Sequence, residues 1–171
     1  MLCKNLIPLF GLVTVLPLAV DLFGDVAAAF PGLGVWRYED GTGGQLLATG
    51  SATQVSIAGN GVVAAELPGT GVWRYKDSGG WLRLTAVDAT ALAVNLFGDV
   101  AASFAGAGTY RYKDGTGWQQ LSTDFAFAVG IDAYGDVSAG LAGAGVWLYD
   151  TNTGWTQLAT SDASHVGAGS C

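Results

Sequence analysis

The residues that could most directly bind a ligand are three tryptophans at equal spacing. Trp81, Trp118 and Trp155 each follow a glycine and lie 37 residues apart, and Gly44 occupies the same position one interval earlier. Sugars stack their C–H faces on indole rings, and a tryptophan shown at equal intervals is typical of a lectin with several weak, identical sites. If their side chains are exposed, these three residues are candidate carbohydrate-binding residues.

A second set of residues at the same interval could recognise negative charge. Arg37, Arg74 and Arg111 share it, and Leu148 takes the fourth position. A guanidinium can hold a carboxylate or an acidic sugar with its planar fork. It can equally pair with an aspartate or stack over a ring of a neighbouring unit, and the sequence leaves both interpretations open. The tryptophans just before Arg37, Arg74 and Leu148 are predicted to pack in the core or between blades: Trp36, Trp73 and Trp147, with Tyr110 at the same position before Arg111.

Acidic residues recur in a short turn. Asp21, Asn95 and Asp132 are each followed four residues later by an aspartate that comes directly after a glycine. Oxygen atoms at this spacing could hold Ca²⁺, which takes six to eight oxygen ligands. The second copy has Ala58 and Val62 at the two positions, so the turn must form without them. Asp and Asn favour tight turns by themselves, and we therefore predict turn chemistry and no metal.

No catalytic arrangement emerges from the sequence. His165 is the single histidine, no Gly-x-Ser-x-Gly segment occurs, and only Glu39 and Glu66 are glutamates. A histidine-centred triad, a nucleophile elbow and a pair of glutamates for glycoside cleavage therefore have no support. We expect a protein that is not an enzyme and needs no cofactor. A net charge of −7 also argues against nucleic acid and anionic lipid as partners.

All of these residues belong to one internal repeat. Gly-Val-Trp-Arg-Tyr occurs at 34–38 and 71–75, Gly-Thr-Tyr-Arg-Tyr at 108–112 and Gly-Val-Trp-Leu-Tyr at 145–149. The interval is 37 residues throughout, so four copies stand in register. The chain of 171 residues has 27 glycines, 50% hydrophobic and only 12% charged residues. This composition excludes ordinary disorder, and glycines without a three-residue period exclude a collagen-like chain.

Each copy divides into four short apolar segments separated by turn residues. In the third copy the predicted strands are 91–97, 99–104, 109–113 and 118–122, with glycines at every junction. These lengths suit strands, and no segment has the spacing of a helix. Four strands per unit and a period near forty predict an all-β fold, a β-propeller of four-stranded blades.

The repeat frame predicts four full blades and part of a fifth, as in a five-bladed ring or a fragment of one. The units run over about 18–54, 55–91, 92–128 and 129–165, with a partial copy at 166–171. Residues 165–168 align with the first strand of the third copy.

Residues 1–17 are interpreted either as a signal-like segment, because Lys4 precedes an apolar run, or as an outer strand that closes the ring. The sequence is compatible both with a disulfide bond between Cys3 and Cys171 and with two free thiols.

Units of the form Gly-Val-Trp-Arg-Tyr, a short Asp/Gly/Thr loop and Gly-Trp-Gln-Gln-Leu resemble bacterial propeller repeats of the tectonin and tachylectin-like lectin type. The resemblance covers roughly residues 18–171. It implies a five-bladed propeller and glycan binding, but no sugar-binding motif of these lectins can be matched to residues of this chain.

These observations predict a non-catalytic, multivalent carbohydrate-binding propeller with sites repeated between blades. The alternative is a structural or protein-interaction scaffold of a secreted or cell-surface repeat protein. Sparse lysine and the leader-like start favour export from a bacterium. We expect no membrane span, glycans as candidate partners, and self-association that could complete the fifth blade.

Overall fold

The computed structural model describes residues 17–163 and 165–167, and these contain strands and turns without a helix. Sixteen strands form four antiparallel sheets of four strands each. The first sheet comprises β1 (Leu18–Val20), β2 (Val26–Phe30), β3 (Gly34–Glu39) and β4 (Gly43–Ala48). The second comprises β5 (Gln54–Ile57), β6 (Val63–Leu67), β7 (Gly71–Lys76) and β8 (Gly80–Arg83).

The other two sheets repeat this plan. The third sheet comprises β9 (Ala91–Val94), β10 (Val100–Phe104), β11 (Gly108–Lys113) and β12 (Gly117–Ser122). The fourth comprises β13 (Ala126–Ile131), β14 (Val137–Leu141), β15 (Gly145–Asp150) and β16 (Gly154–Ala159). In every sheet the strands pair in chain order, and the first strands of successive sheets contact one another. The chain is thus a β-propeller with its first strands innermost, as the repeat predicts.

The predicted strands of the third copy agree with the structure except at the first. That strand ends at Val94 instead of residue 97, because Asn95 already begins the turn: its side-chain Oδ1 accepts the backbone N–H groups of Phe97 and Asp99. Residues 165–167, predicted to start a fifth blade, belong to no strand. Residues 1–16 and 168–171, and with them the signal-or-strand alternative and the two cysteines, lie outside the described residues.

Three apolar clusters hold the sheets together, one between each pair of neighbours. The cluster between the first two sheets contains Ala27, Ala29 and Val35 on one side and Val55 and Ile57 on the other. We name the side of a sheet that is turned to the preceding sheet its leading face, here Val55 and Ile57. The opposite side, here Ala27, Ala29 and Val35, is the trailing face. Alanines on the trailing faces let the twisted sheets approach closely.

Candidate functional site

The three spaced tryptophans lie in the interfaces between sheets. Trp118 donates its indole N–H to the carbonyl of Leu84 in the preceding sheet at 3.0 Å, and Trp81 and Trp155 make the equivalent bonds at 2.8 Å. Each ring also stands edge-on to a tyrosine of its own sheet, with centroids 5.3–5.5 Å apart. All three are half-buried. Their indole N–H groups and part of each ring therefore serve packing, and sugar binding at them stays a prediction.

The arginines reach across the same interfaces. Arg74 donates to the carbonyl of Gly98 at 2.7 Å and to Asp114 at 2.9 Å, both in the following sheet. Its guanidinium lies 5.6 Å from the ring centre of Tyr112, the tyrosine that Trp118 contacts. Arg37 repeats these contacts with Gly61, Asp77 and Tyr75. The interpretation of a pair with an aspartate and a ring of the next unit is confirmed for Arg37 and Arg74.

Arg111 shows what happens when the aspartate is missing. It lies 5.9 Å from the ring centre of Tyr149 and donates to the carbonyl of Gly135. Thr151 stands where the other interfaces have an aspartate, and Nη2 of Arg111 donates to Gln119 of its own sheet. The structure thus brings each predicted arginine together with the predicted tryptophan of the next copy, around one tyrosine. The predicted Trp36, Trp73 and Trp147 bond their own second-to-third-strand loops instead.

Two neighbouring cations change the pKa of Asp114, which lies at the edge of the interface between the second and third sheets. Burial by itself would raise the pKa of Asp114, but hydrogen bonds from Lys76 and Arg74 outweigh it and lower the pKa below the usual value. Asp114 therefore stays ionised and keeps both cations in place at neutral pH.

Glu66 is a buried carboxyl group in the second sheet. Its side chain is fully buried, its Oε2 accepts a hydrogen bond from Thr53, and its Oε1 has no hydrogen-bond partner. Burial, with a contribution from Asp88, raises its pKa from 4.5 to about 7. The other sheets have Ala29, Ser103 and Gly140 at this position, so Glu66 is not needed to form a sheet.

We expect Glu66 to make folding pH-dependent. The raised pKa means that the folded state holds a proton that the unfolded chain releases, so stability is highest below about pH 4.5 and declines as pH rises to about 7. Glu66→Gln should remove the decline and exceed the native chain by roughly 2–3 kcal/mol at about pH 8. Urea unfolding at several pH values measures this. Glu39→Gln, at the other glutamate, should leave the decline in place, and a native chain without any decline would contradict the prediction.

The first-to-second-strand and third-to-fourth-strand loops of every sheet emerge at the same end, which we name the loop face. The former comprise residues 21–25, 58–62, 95–99 and 132–136, and the latter 40–42, 77–79, 114–116 and 151–153. The two kinds of loop are tied together, since Asp25 accepts the backbone N–H of Asp40 and Asp136 that of Thr151. Asp21, Asn95 and Asp132 each cap their turn by accepting two backbone N–H groups, which confirms the predicted turn chemistry.

Aromatic side chains stand exposed at the tips of three of these loops. Phe23, Phe97 and Tyr134 occupy the same repeat position and are 72%, 61% and 73% exposed, while Asn60 fills that position in the second copy. The preceding Leu22 is also exposed. Exposed aromatic rings in a cluster are unusual on a monomer and mark binding surfaces. Their recurrence in a turn is visible in the sequence, but the sequence alone does not show that their side chains are exposed together at one end of the sheets.

Two of the aromatic tips flank a cleft between the third and fourth sheets. It has a volume of about 500 Å³ and is lined by Phe97, Asp99, Lys113, Asp114, Ala133 and Tyr134. The cleft combines two rings with carboxylates and one ammonium group. Apolar surface with a few polar or charged groups is typical of ligand sites.

The loop face carries most of the acidic residues. Ten of the fourteen lie in these loops or at the adjoining strand ends: Asp21, Asp25, Glu39, Asp40, Asp77, Asp99, Asp114, Asp132, Asp136 and Asp150. Of the basic side chains in the described residues, five reach the same end, and three of them are the arginines of the sheet interfaces. The face therefore has an excess of negative charge that attracts cationic ligands.

Across 17–163 and 165–167, no group of three or more His, Cys, Asp or Glu side chains could hold a metal ion. The described part of the chain also has no helix long and apolar enough to cross a membrane.

The fold is similar to that of solved propeller structures at low sequence identity. YCF48 bound to D1 peptide is 17% identical with a TM-score of 0.55, and the match covers 88% of this chain and 56% of that one. The extracellular domain of the putative one-component system BT4673 from B. thetaiotaomicron is 14% identical with a TM-score of 0.56, covering 92% and 23%. Chaetomium thermophilum Sqt1, bound to the N-terminus of ribosomal protein L10, is 17% identical with a TM-score of 0.55, covering 82% and 48%.

This chain therefore spans less than two thirds of each of these proteins. No protein-family model matches the sequence, and no curated protein matches it. These structures support the propeller fold. The similarity to tectonin-type lectins rests on the sequence resemblance alone.

Proposed function

We propose that the chain is a non-catalytic binding module that holds an extended, basic and partly apolar peptide segment of another protein on its loop face. The observation that carries the proposal is the set of exposed aromatic tips around the acidic cleft. Phe97 and Tyr134 offer apolar surface to a leucine or phenylalanine of the ligand. Asp99 lines the same cleft, and the excess of acidic residues on the loop face attracts a lysine or arginine of the ligand.

The structural neighbours give this proposal a precedent. The YCF48 structure contains a D1 peptide and the Sqt1 structure the N-terminus of L10. A propeller is suited to such binding because its rigid sheets display several short loops side by side. Phe23 and the cleft residues lie on the same loop face. A peptide longer than the cleft would therefore meet further exposed rings along this face.

The test uses three short capped peptides and the full chain. One alternates arginine with leucine and phenylalanine, the second has glutamate in place of arginine, and the third has serine in place of the apolar residues. We expect the first to bind and the other two to bind at least about tenfold more weakly. Phe97→Ala should weaken binding of the first about tenfold, because truncation of an aromatic anchor removes most of its contact.

Phe125→Ala is the matched control for Phe97→Ala. Phe125 is an exposed phenylalanine in the link between β12 and β13, outside the loop face, so its removal should leave binding unchanged. Equal binding of all three peptides, or equal loss in both variants, would refute a site at the aromatic tips.

Carbohydrate binding is the second candidate function, and the same cleft favours it. Exposed rings suit the C–H face of a sugar and the neighbouring carboxylates its hydroxyl groups. A glycan array probed with the native chain, Phe97→Ala and Trp155→Ala separates the possibilities. A glycan signal lost only in Phe97→Ala places a sugar in the cleft, and one lost only in folded Trp155→Ala supports the sites predicted between blades.

A further inference from the structure

The leading face of the first sheet is uncovered at positions that every other sheet buries. Leu18 and Val20 are 68% and 67% exposed. The residues at their positions in the other sheets are at most 9% exposed: Val55, Ile57, Leu92, Val94, Val129 and Ile131. In those sheets the trailing face of the preceding sheet supplies the cover. The first sheet thus presents an interface surface without its partner.

The trailing face of the fourth sheet is incomplete in the same sense. Leu158 is 60% exposed, whereas Leu47, Leu84 and Leu121 at the same position are partly buried against the following sheet. The hydroxyl of Ser138 is buried on this face and has no hydrogen-bond partner.

Serines on the other trailing faces show what such a hydroxyl does. Ser56 accepts the backbone N–H of Val94 at 3.1 Å, and Ser103 accepts that of Ala126 at 3.0 Å. Both donors lie at the first strand of the following sheet or at its start. Ser138 faces the side on which the described residues contain no following sheet. Its unpaired hydroxyl is the kind of group that such a sheet would satisfy.

The two uncovered faces also depart from the repeat in matching ways. Leu148 replaces the arginine on the trailing face of the fourth sheet, and Gly44 replaces the tryptophan on the leading face of the first. Leu46 stands where the other sheets have Arg83, Gln120 and Gln157. The first face has therefore lost its indole donor to a preceding sheet and carries an additional exposed leucine, and the fourth face has lost its arginine. Two such surfaces bury each other without leaving an arginine unpaired.

We propose that the leading face of the first sheet packs against the trailing face of the fourth sheet in a second copy of this chain. The contact repeats the geometry of the three internal interfaces, without the arginine and the indole hydrogen bond, whose positions Leu148 and Gly44 occupy. Because the two faces differ, the association is head-to-tail and uses both faces of each copy when a ring closes. Two copies contribute eight sheets, which lies within the usual range for propellers.

The solution mass of the full chain tests the proposal. We expect twice 17.4 kDa at micromolar concentration by light scattering after gel filtration. Val20→Glu and Leu158→Glu should each weaken association at least about 100-fold, because each places a charge in an apolar interface. Val87→Glu is the control, since Val87 is an exposed valine in the link between the second and third sheets, and it should remain dimeric. Circular dichroism checks that all variants fold.

Mixing the variants tests the direction of the contact. A mixture of Val20→Glu and Leu158→Glu chains retains one unaltered pair of faces, so heterodimers should form where each variant alone is monomeric. A monomeric native chain would overturn the proposal, even if other residues of the same chain cover the leading face of the first sheet. A dimer that Leu158→Glu leaves intact would also overturn it, because it would mean that two first sheets pair with each other.

Discussion

Replacing Gly108 with alanine should destabilise the fold by at least about 3 kcal/mol. Gly108 begins the third strand of its sheet with a φ of +105°, a conformation that side chains rarely adopt. A Cβ atom there would lie 2.2 Å from the carbonyl oxygen of Ser122 and 2.8 Å from the backbone of Thr123. Strain and overlap with rigid backbone therefore add.

Gly106→Ala is the matched control for Gly108→Ala. Gly106 lies in the same loop and has a φ of +73°, but a Cβ atom there would meet nothing within 4 Å. Its substitution should cost only about 1 kcal/mol of backbone strain. Urea unfolding followed by circular dichroism compares the two. Equal stability of the two variants would show that the close approach at Gly108 is not a feature of the folded chain.

Trp118→Ala should cost roughly 3 kcal/mol, because the indole connects two sheets. The change removes its contact with Tyr112 and Phe104 and leaves the carbonyl of Leu84 without its indole donor. Trp118→Phe keeps an aromatic ring but not the donor and should cost about 1 kcal/mol. Thermal or urea unfolding measures both. A Trp118→Ala chain of native stability that loses a glycan signal would contradict the packing role and support the sugar-binding hypothesis.

Trp36→Ala is a useful comparison for Trp118→Ala. Trp36 donates its indole N–H to Leu33 in the adjoining loop of its own sheet, and it lies on the uncovered leading face. Its loss affects one sheet instead of the connection between two. We therefore expect a smaller decrease in stability than for Trp118→Ala.

The sheets could be predicted from the sequence because their determinants are local. The 37-residue interval, the strand lengths and the glycines at the junctions all act within one unit, and the strands of the third copy agree with the structure closely. The same interval aligned the turn aspartates with Ala58 and Val62, and the turn chemistry inferred from this agrees with the hydrogen bonds that Asp21, Asn95 and Asp132 accept.

The environment of the tryptophans could not be predicted in this way. Whether Trp118 is exposed depends on the distance and angle between neighbouring sheets, which no spacing within one sheet reports. One hint was present, because Gly44 replaces the tryptophan in the copy whose leading face is uncovered. The aromatic tips were missed for a similar reason, since Phe97 and Tyr134 become a site only when two sheets place them at one cleft.

The central claim, a ligand site at the aromatic tips of the loop face, is tested most directly by NMR. The ¹⁵N-labelled chain is titrated with the capped peptide that alternates arginine with leucine and phenylalanine. We predict shifts of the backbone amides of Phe97, Asp99 and Tyr134, while the indole N–H signals of Trp81, Trp118 and Trp155 stay in place. Shifts confined to those indole signals, or no shift at saturating peptide, would contradict the claim.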